Sequence, residues 1–188
     1  MGCHPPREPL PAVTAAVKAL LGQSDPARAA VAALIAFHGL CTRQVRNPQR
    51  VDVSAGWLHI DDRRIPLAPP VREHVAAYLD HRTAAWPDTA DPQLFINRRS
   101  DMETRNVGIR WIRLLLGLGP GPGPGPGHGL CLGVSCRSIR EDRIRAGAMA
   151  SWGDARRLHD VFGLSTNAGL RYTAAVDHPG FADATPAQ

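Results

Sequence analysis

The chain has 188 residues, a formal net charge of +5 and 44% hydrophobic residues, enough for one domain with its own core. Aromatics are only 5%, so that core must be built mainly from Ala, Val, Leu and Ile. No apolar stretch reaches the ~18 residues of a membrane span, and no apolar segment of signal-peptide type opens the chain. The composition also excludes a collagen or a wholly disordered chain, so no membrane contact and a cytoplasmic location are expected.

In chain order, Met1 to Gly22 is Pro-rich and then Ala-rich, and residues 1–24 are expected to be poorly ordered apart from a short helix at Thr14–Leu21. Ser24-Asp25-Pro26 combines a capping side chain with Pro at the first helical position. Val31, Leu34, Ile35 and His38 follow at i, i+3, i+4 and i+7, and Gly39 is a fitting stop, which predicts a buried helix at 26–38. A second short helix is expected at Thr42–Arg46, ended by Asn47-Pro48. Trp57 to Ile60 and Arg64 to Leu67 read as a β-hairpin around Asp61-Asp62-Arg63, and Pro66 puts the second strand at an edge or at its end.

The helical period returns at 70–84 with Val71, Val75, Tyr78, Leu79 and Arg82 on one side. Leu94-Phe95-Ile96 reads as a short strand or extended turn. Thr104 is placed as the cap of a helix with Val107, Trp111, Leu114 and Leu115 on its apolar side. Ten of the 35 glycines and prolines then fall in Gly117 to Gly127, a spacer that is neither helix nor central strand, and 117–136 is read as an insertion. Three more helices follow: Ser138–Ala150, a helix capped by Asp154 with Ala155, Leu158, Val161 and Phe162 inward, and one capped by Ser165 with Leu170, Tyr172 and Val176 inward. Residues 177–188 read as a polar tail. The domain thus spans 25–176 and is mainly α with a small β-hairpin or three-stranded sheet (α+β).

The basic balance, with a pI near 9.6, suits a polyanion such as nucleic acid. Cys3, Cys41, Cys131 and Cys136 form no CxxC pair. Cys131 and Cys136 with His128 lack the second pair that would complete a zinc tetrahedron, so no metal is expected. Arg140 is suited to hold a phosphate bidentately, and a tyrosine hydroxyl such as that of Tyr172 attacks a phosphodiester when cations assist. Ala155 to Val176 also reads as a helix-turn-helix with Asn167 and Arg171 outward, which implies a non-catalytic DNA-binding module instead. A third reading makes Arg137, Arg140, Arg143 and Arg145 a solvated helix face only.

Five stretches, in order, resemble the catalytic domain of the tyrosine recombinase (phage integrase) family. They are His38-Gly39-Leu40; Val51-Asp52-Val53 followed by Leu58-His59-Ile60 and Arg64-Ile65-Pro66-Leu67; the helix 70–84 with Leu94-Phe95-Ile96; Ser138-Ile139-Arg140; and Gly153-Asp154 to Phe162-Gly163-Leu164-Ser165 followed by Arg171-Tyr172-Thr173. The resemblance implies an α+β fold and double-stranded DNA as partner, with a homo-oligomer on DNA as a further implication. It also implies DNA recombination or integration through a phosphotyrosyl link, with no cofactor, metal or ATP.

On the same resemblance the nucleophile falls on Tyr172 and the second arginine on Arg140. The first arginine falls on Cys41, with Arg43 two residues away, and its acidic follower on Gln44. The hairpin lysine has no counterpart in Asp61-Asp62-Arg63-Arg64, where Arg63 offers a charge but a poor proton donor. Arg137 and Leu164 stand where the family has histidine or, at the second position, tryptophan. Arg43, Arg63, Arg137, Arg143 and Arg171 are the candidate DNA-phosphate ligands, with Tyr172 and Arg140 as the candidate catalytic pair. With most catalytic positions substituted, the expectation is a weakly active or inactive DNA-binding relative. No counterpart of the family's N-terminal DNA-clamping domain is seen in residues 1–24, so a non-functional truncated remnant is the remaining alternative.

Overall fold

The computed structural model describes residues 11–117 and 134–176. Most of the Pro-Gly stretch, Cys131 with His128, and the tail 177–188 lie outside them. The described residues form α1 (Pro11–Leu21), α2 (Pro26–His38), α3 (Thr42–Arg46), a 3-10 turn (Arg50–Asp52), β1 (Val53–Ser54), β2 (Trp57–Ile60), β3 (Arg63–Pro66), α4 (Pro69–Ala85), α5 (Arg98–Glu103), α6 (Ile109–Leu115), α7 (Cys136–Ala150), α8 (Ala155–Phe162) and α9 (Thr166–Val176).

The central element is α2. The Asp25 carboxylate accepts from the Ala27 and Arg28 amides, and Gly39 at φ 60 ends the helix in the left-handed region, which glycine adopts without steric cost. Ala30, Val31, Ala33 and Ile35 are fully buried, because α1, α4 and α7 pack around α2. The small alanines let these neighbours approach closely. The short helix expected at Thr14–Leu21 is α1, which starts earlier, at Pro11, with Val13, Ala16 and Leu20 buried.

The strands form one antiparallel sheet in the order β1-β2-β3. Pro66 closes β3 at the edge, opposite Trp57. Leu58, Ile60 and Ile65 face the core. Residues Leu94 to Ile96 are a buried bend rather than a strand. The Leu94 amide donates to Pro48 O and the Arg50 amide to Pro92 O, while the Ile96 amide donates to the Tyr78 hydroxyl at 3.0 Å. Burial pushes the Tyr78 phenol up to about 12.

Thr104 does not start a helix. It lies at φ 47 and terminates α5, whose cap is Asn97; α6 starts after Gly108. Ile112 and Leu116 are buried and Leu114 is 52% exposed, so the inward stripe of α6 runs one position away from the expected one. In α9, similarly, Leu170 is 52% exposed while Gly169 and Thr173 are buried. A Cβ on Gly169 would lie 3.5 Å from Ala155 O: α9 crosses the start of α8 closely, and the small residue takes the inner position. Two apolar clusters result. The larger lies around α2 and includes Ile139; the smaller joins Ile144 and Ala148 of α7 to Leu158, Phe162 and Leu164, with Tyr172 packed at its margin.

Candidate functional site

The left-handed turn at Gly39 exposes the last carbonyls of α2 to α7. Arg140 Nε donates to Gly39 O at 2.7 Å and Arg143 Nε to Phe37 O at 2.8 Å. The two arginines are three residues apart and share one face of α7. A guanidinium has five N–H donors in one plane, so fixing Nε fixes the plane. Among the described residues the terminal nitrogens of Arg140 have no hydrogen-bond partner, which leaves them for an anion.

Arg63 reaches the same region from β3. Its Nη1 donates to Val161 O at 3.0 Å and, more weakly, to Asp160 O at 3.5 Å, at the C-terminal end of α8. A cation at a helix C-terminus is favourably placed against the helix dipole. A Cβ on Gly163 would lie 2.5 Å from Arg63 Nη2, so glycine is required there both for φ 62 and for the guanidinium. Burial pushes the Arg63 pKa down from its ordinary value; Asp61 and Cys41 oppose that and the nearby Arg140 adds to it. Arg140 bonds the turn two residues before Cys41, and Arg63 lies near enough to both for their charges to act on it.

Cys41 is the N-cap of α3. Its amide donates to Gln44 Oε1 at 3.1 Å, and Gln44 Nε2 donates to Asp61 Oδ2 at 3.2 Å, which ties the hairpin turn to α3. His38 is buried, and its Nε2 accepts from the Ala68 amide at the start of α4 at 3.3 Å. Burial, and then the charge of Arg143, push it down to about 4; it is a neutral structural group near pH 7.

Tyr172 on α9 is half-buried against the smaller cluster. Arg137 lies within electrostatic range of it. Arg137 is itself exposed and paired with Glu141 at 2.7 Å, and that hydrogen bond and charge push its pKa up. Arg43 and Arg171 are exposed. No described contact joins Arg43 or Arg171 to the Arg63–Arg140 group, so the expected ligand set divides: Arg63, Arg140 and Arg143 are anchored to backbone carbonyls, Arg137 stands by Tyr172, and Arg43 and Arg171 face solvent. Cys136, at the start of α7, is half-buried, and burial pushes its thiol up. Among the described residues no three metal-ligating side chains gather, and no helix there is long and apolar enough to cross a membrane.

The fold is found in solved structures. XerA recombinase matches with a TM-score of 0.67 at 19% identity, over 91% of this chain and 61% of that one. XerH site-specific recombinase matches in two structures. In the post-cleavage complex with a palindromic difH substrate the TM-score is 0.62 at 13% identity, over 92% of this chain. In the pre-cleavage complex with difH substrate it is 0.59 at 14% identity, over 86%. The fold is that of the tyrosine recombinase catalytic domain. No protein-family model and no curated protein matches the sequence. The chain spans 61% of the XerA chain and about half of the XerH chains.

The α+β architecture read from the sequence is therefore the observed one. The sequence did not reveal what the arginines bond. The signal was present in part: Arg140 and Arg143 at i and i+3, and a glycine after α2 that frees its final carbonyls. The roles of Gln44 and Gly163 as supports of the hairpin depend on contacts between residues far apart in the chain, and no local pattern carries them.

Proposed function

We propose that the chain binds double-stranded DNA as a derivative of a tyrosine recombinase, with strand-cleaving chemistry weak or lost. The observation that carries this reading is the cluster of Cys41, Arg63 and Arg140 in a recombinase fold. It retains a guanidinium with free donors, Arg140, but has a thiol at the position that the resemblance assigns to a first arginine. In the retained chemistry the Tyr172 oxygen would attack phosphorus, the bond to the 5′ oxygen would break, and that oxygen would need a proton. Arg63 is a poor acid and is held by the α8 carbonyls. Loss of one charge-stabilising donor costs ~10²–10³ in rate. Assembly as a homo-oligomer on DNA and a cytoplasmic location belong to the same proposal.

The test is anisotropy of a labelled random duplex across a salt series. Each phosphate contact contributes ~0.9 to the slope of log affinity against log salt, and a slope of several units is expected. Absence of binding at low salt overturns the proposal. Tyr172→Phe then separates the two forms of it: loss of a covalent adduct with retained affinity marks residual recombinase chemistry, and no adduct in either protein marks a binding module of the helix-turn-helix type.

A further inference from the structure

α7 ends in a Schellman turn. The Gly153 amide donates to Ala148 O at 2.9 Å and the Trp152 amide to Met149 O at 3.2 Å. The first residue past the cap takes the left-handed conformation in this turn and is usually glycine. Here it is Trp152, at φ 53, followed by a glycine at φ 76. Its side chain is 89% exposed, and Met149, one turn back, is 46% exposed. The sequence thus puts its largest aromatic side chain where backbone sterics disfavour it and where it buries almost nothing. The turn's hydrogen bonds hold the indole outward on a fixed backbone.

The surroundings are basic. Arg145 lies one turn before Met149, and Arg156 and Arg157 open α8; all three are exposed. Among the described residues none of them is in an ion pair. Asp154 has its carboxylate engaged with the Arg156 and Arg157 amides, and Glu141 is paired with Arg137. Asp142 and Asp160 lie one turn before Arg145 and one turn after Arg156, so the arginines outnumber the acids left free beside them. From Arg140 to the end of α7 is ~15 Å at 1.5 Å per residue, so this tip is separate from the Arg63–Arg140 cluster. An outward indole flanked by unpaired arginines is the chemistry of a base-stacking platform, in which a ring stacks on an unpaired base and cations track its phosphates.

We propose that Trp152, with Met149 and the arginines at 145, 156 and 157, forms a docking surface for single-stranded nucleic acid. The test measures anisotropy of labelled oligo-dT and of a labelled duplex with the full chain, Trp152→Ala, Trp152→Phe and Trp152→Gly. Stacking of one base on an aromatic side chain predicts at least about a fivefold loss of oligo-dT affinity in Trp152→Ala, recovery in Trp152→Phe, and duplex affinity within about twofold of wild type. Trp152→Gly relieves the left-handed strain, so it melts above wild type while losing oligo-dT; a purely structural tryptophan would not give that pair of results. Equal oligo-dT affinity in wild type and Trp152→Ala overturns the inference, as does an equal loss for both DNAs. A chain that binds duplex but not oligo-dT overturns this inference and leaves duplex binding standing. A blue shift of tryptophan emission that is absent in Trp152→Phe, seen with poly-glutamate or anionic vesicles but not with oligo-dT, assigns the surface to another partner and overturns it too.

Discussion

Phe162 is seated between two glycines, and this makes the effect of one substitution change sign with another. Its ring is 2% exposed. A Cβ on Gly147 would lie 2.5 Å from Cε2 and 2.7 Å from Cζ, and one on Gly39 would lie 2.8 Å from Cδ1 and 3.1 Å from Cε1. The ring is therefore held by opposite edges and has no room to retreat. In an open helix, Gly→Ala stabilises by ~1 kcal/mol. At Gly147 the overlap should cost ~2–3 kcal/mol of overpacking, for a net loss of ~1–2 kcal/mol. Phe162→Ala alone should cost ~3–5 kcal/mol. With the ring gone, Gly147→Ala meets open space and should stabilise by up to ~1 kcal/mol. The coupling energy is then ~2–3 kcal/mol, far outside the ~0.5 kcal/mol within which independent sites add. Urea unfolding of the four proteins, compared at constant m-value, measures it. Phe162→Leu supplies an intermediate background should the alanine variant lose the C-terminal helices. Additivity of the two changes would refute the seat.

His38 has a folded-state pKa of about 4 against an ordinary 6.5. The unfolded chain therefore binds more protons between these values, and stability is full above about pH 6.5 and falls toward pH 4, by at most ~3 kcal/mol. His38→Gln, which retains an acceptor for the Ala68 amide, should flatten this part of the pH profile in chemical unfolding. Arg63→Met should remove a charge-assisted bond to the α8 carbonyls worth ~1–3 kcal/mol, raise amide exchange in α8 and α9, and leave duplex affinity nearly unchanged. A large loss of affinity instead would make Arg63 a DNA ligand. Cys41→Arg introduces a guanidinium near Arg140 and should steepen the duplex salt slope by ~0.9; an unchanged slope would show that DNA does not reach this cluster.

Much of the fold was legible because its helix ends carry side-chain signals. Asp25, Asp154 and Gly39 mark boundaries that the structure keeps. The failure at α5 and α6 has a local cause. Thr104 is a plausible cap by residue type, but the Asn97 carboxamide already accepts from the Arg99 and Ser100 amides, so a helical turn starts seven residues earlier and Thr104 falls at its end. The inward faces of α6 and α9 failed for a different reason. Hydrophobicity marks Leu114 and Leu170 as core, yet a closely approaching helix selects for size. Gly169 fits against Ala155 and a leucine would not, and this depends on a neighbour that periodicity does not register.

The site was legible as a set of charges but not as a set of bonds, and this difference decides what the proposed chemistry can retain. Among the described residues Arg140 spends one donor on Gly39 O and keeps its terminal nitrogens, whereas Arg63 spends Nη1 on α8 and has Nη2 buried without a partner. Cys41 contributes no guanidinium. A phosphoryl-transfer transition state needs its donors together at one phosphate, so the loss of one member already removes most of the rate, and further losses need not add to it. Duplex affinity instead builds up over separate phosphate contacts of similar weight, and exposed arginines such as Arg43 and Arg171 can each supply one. On the proposed reading, a cation cluster of this make-up would lose cleavage long before it lost DNA.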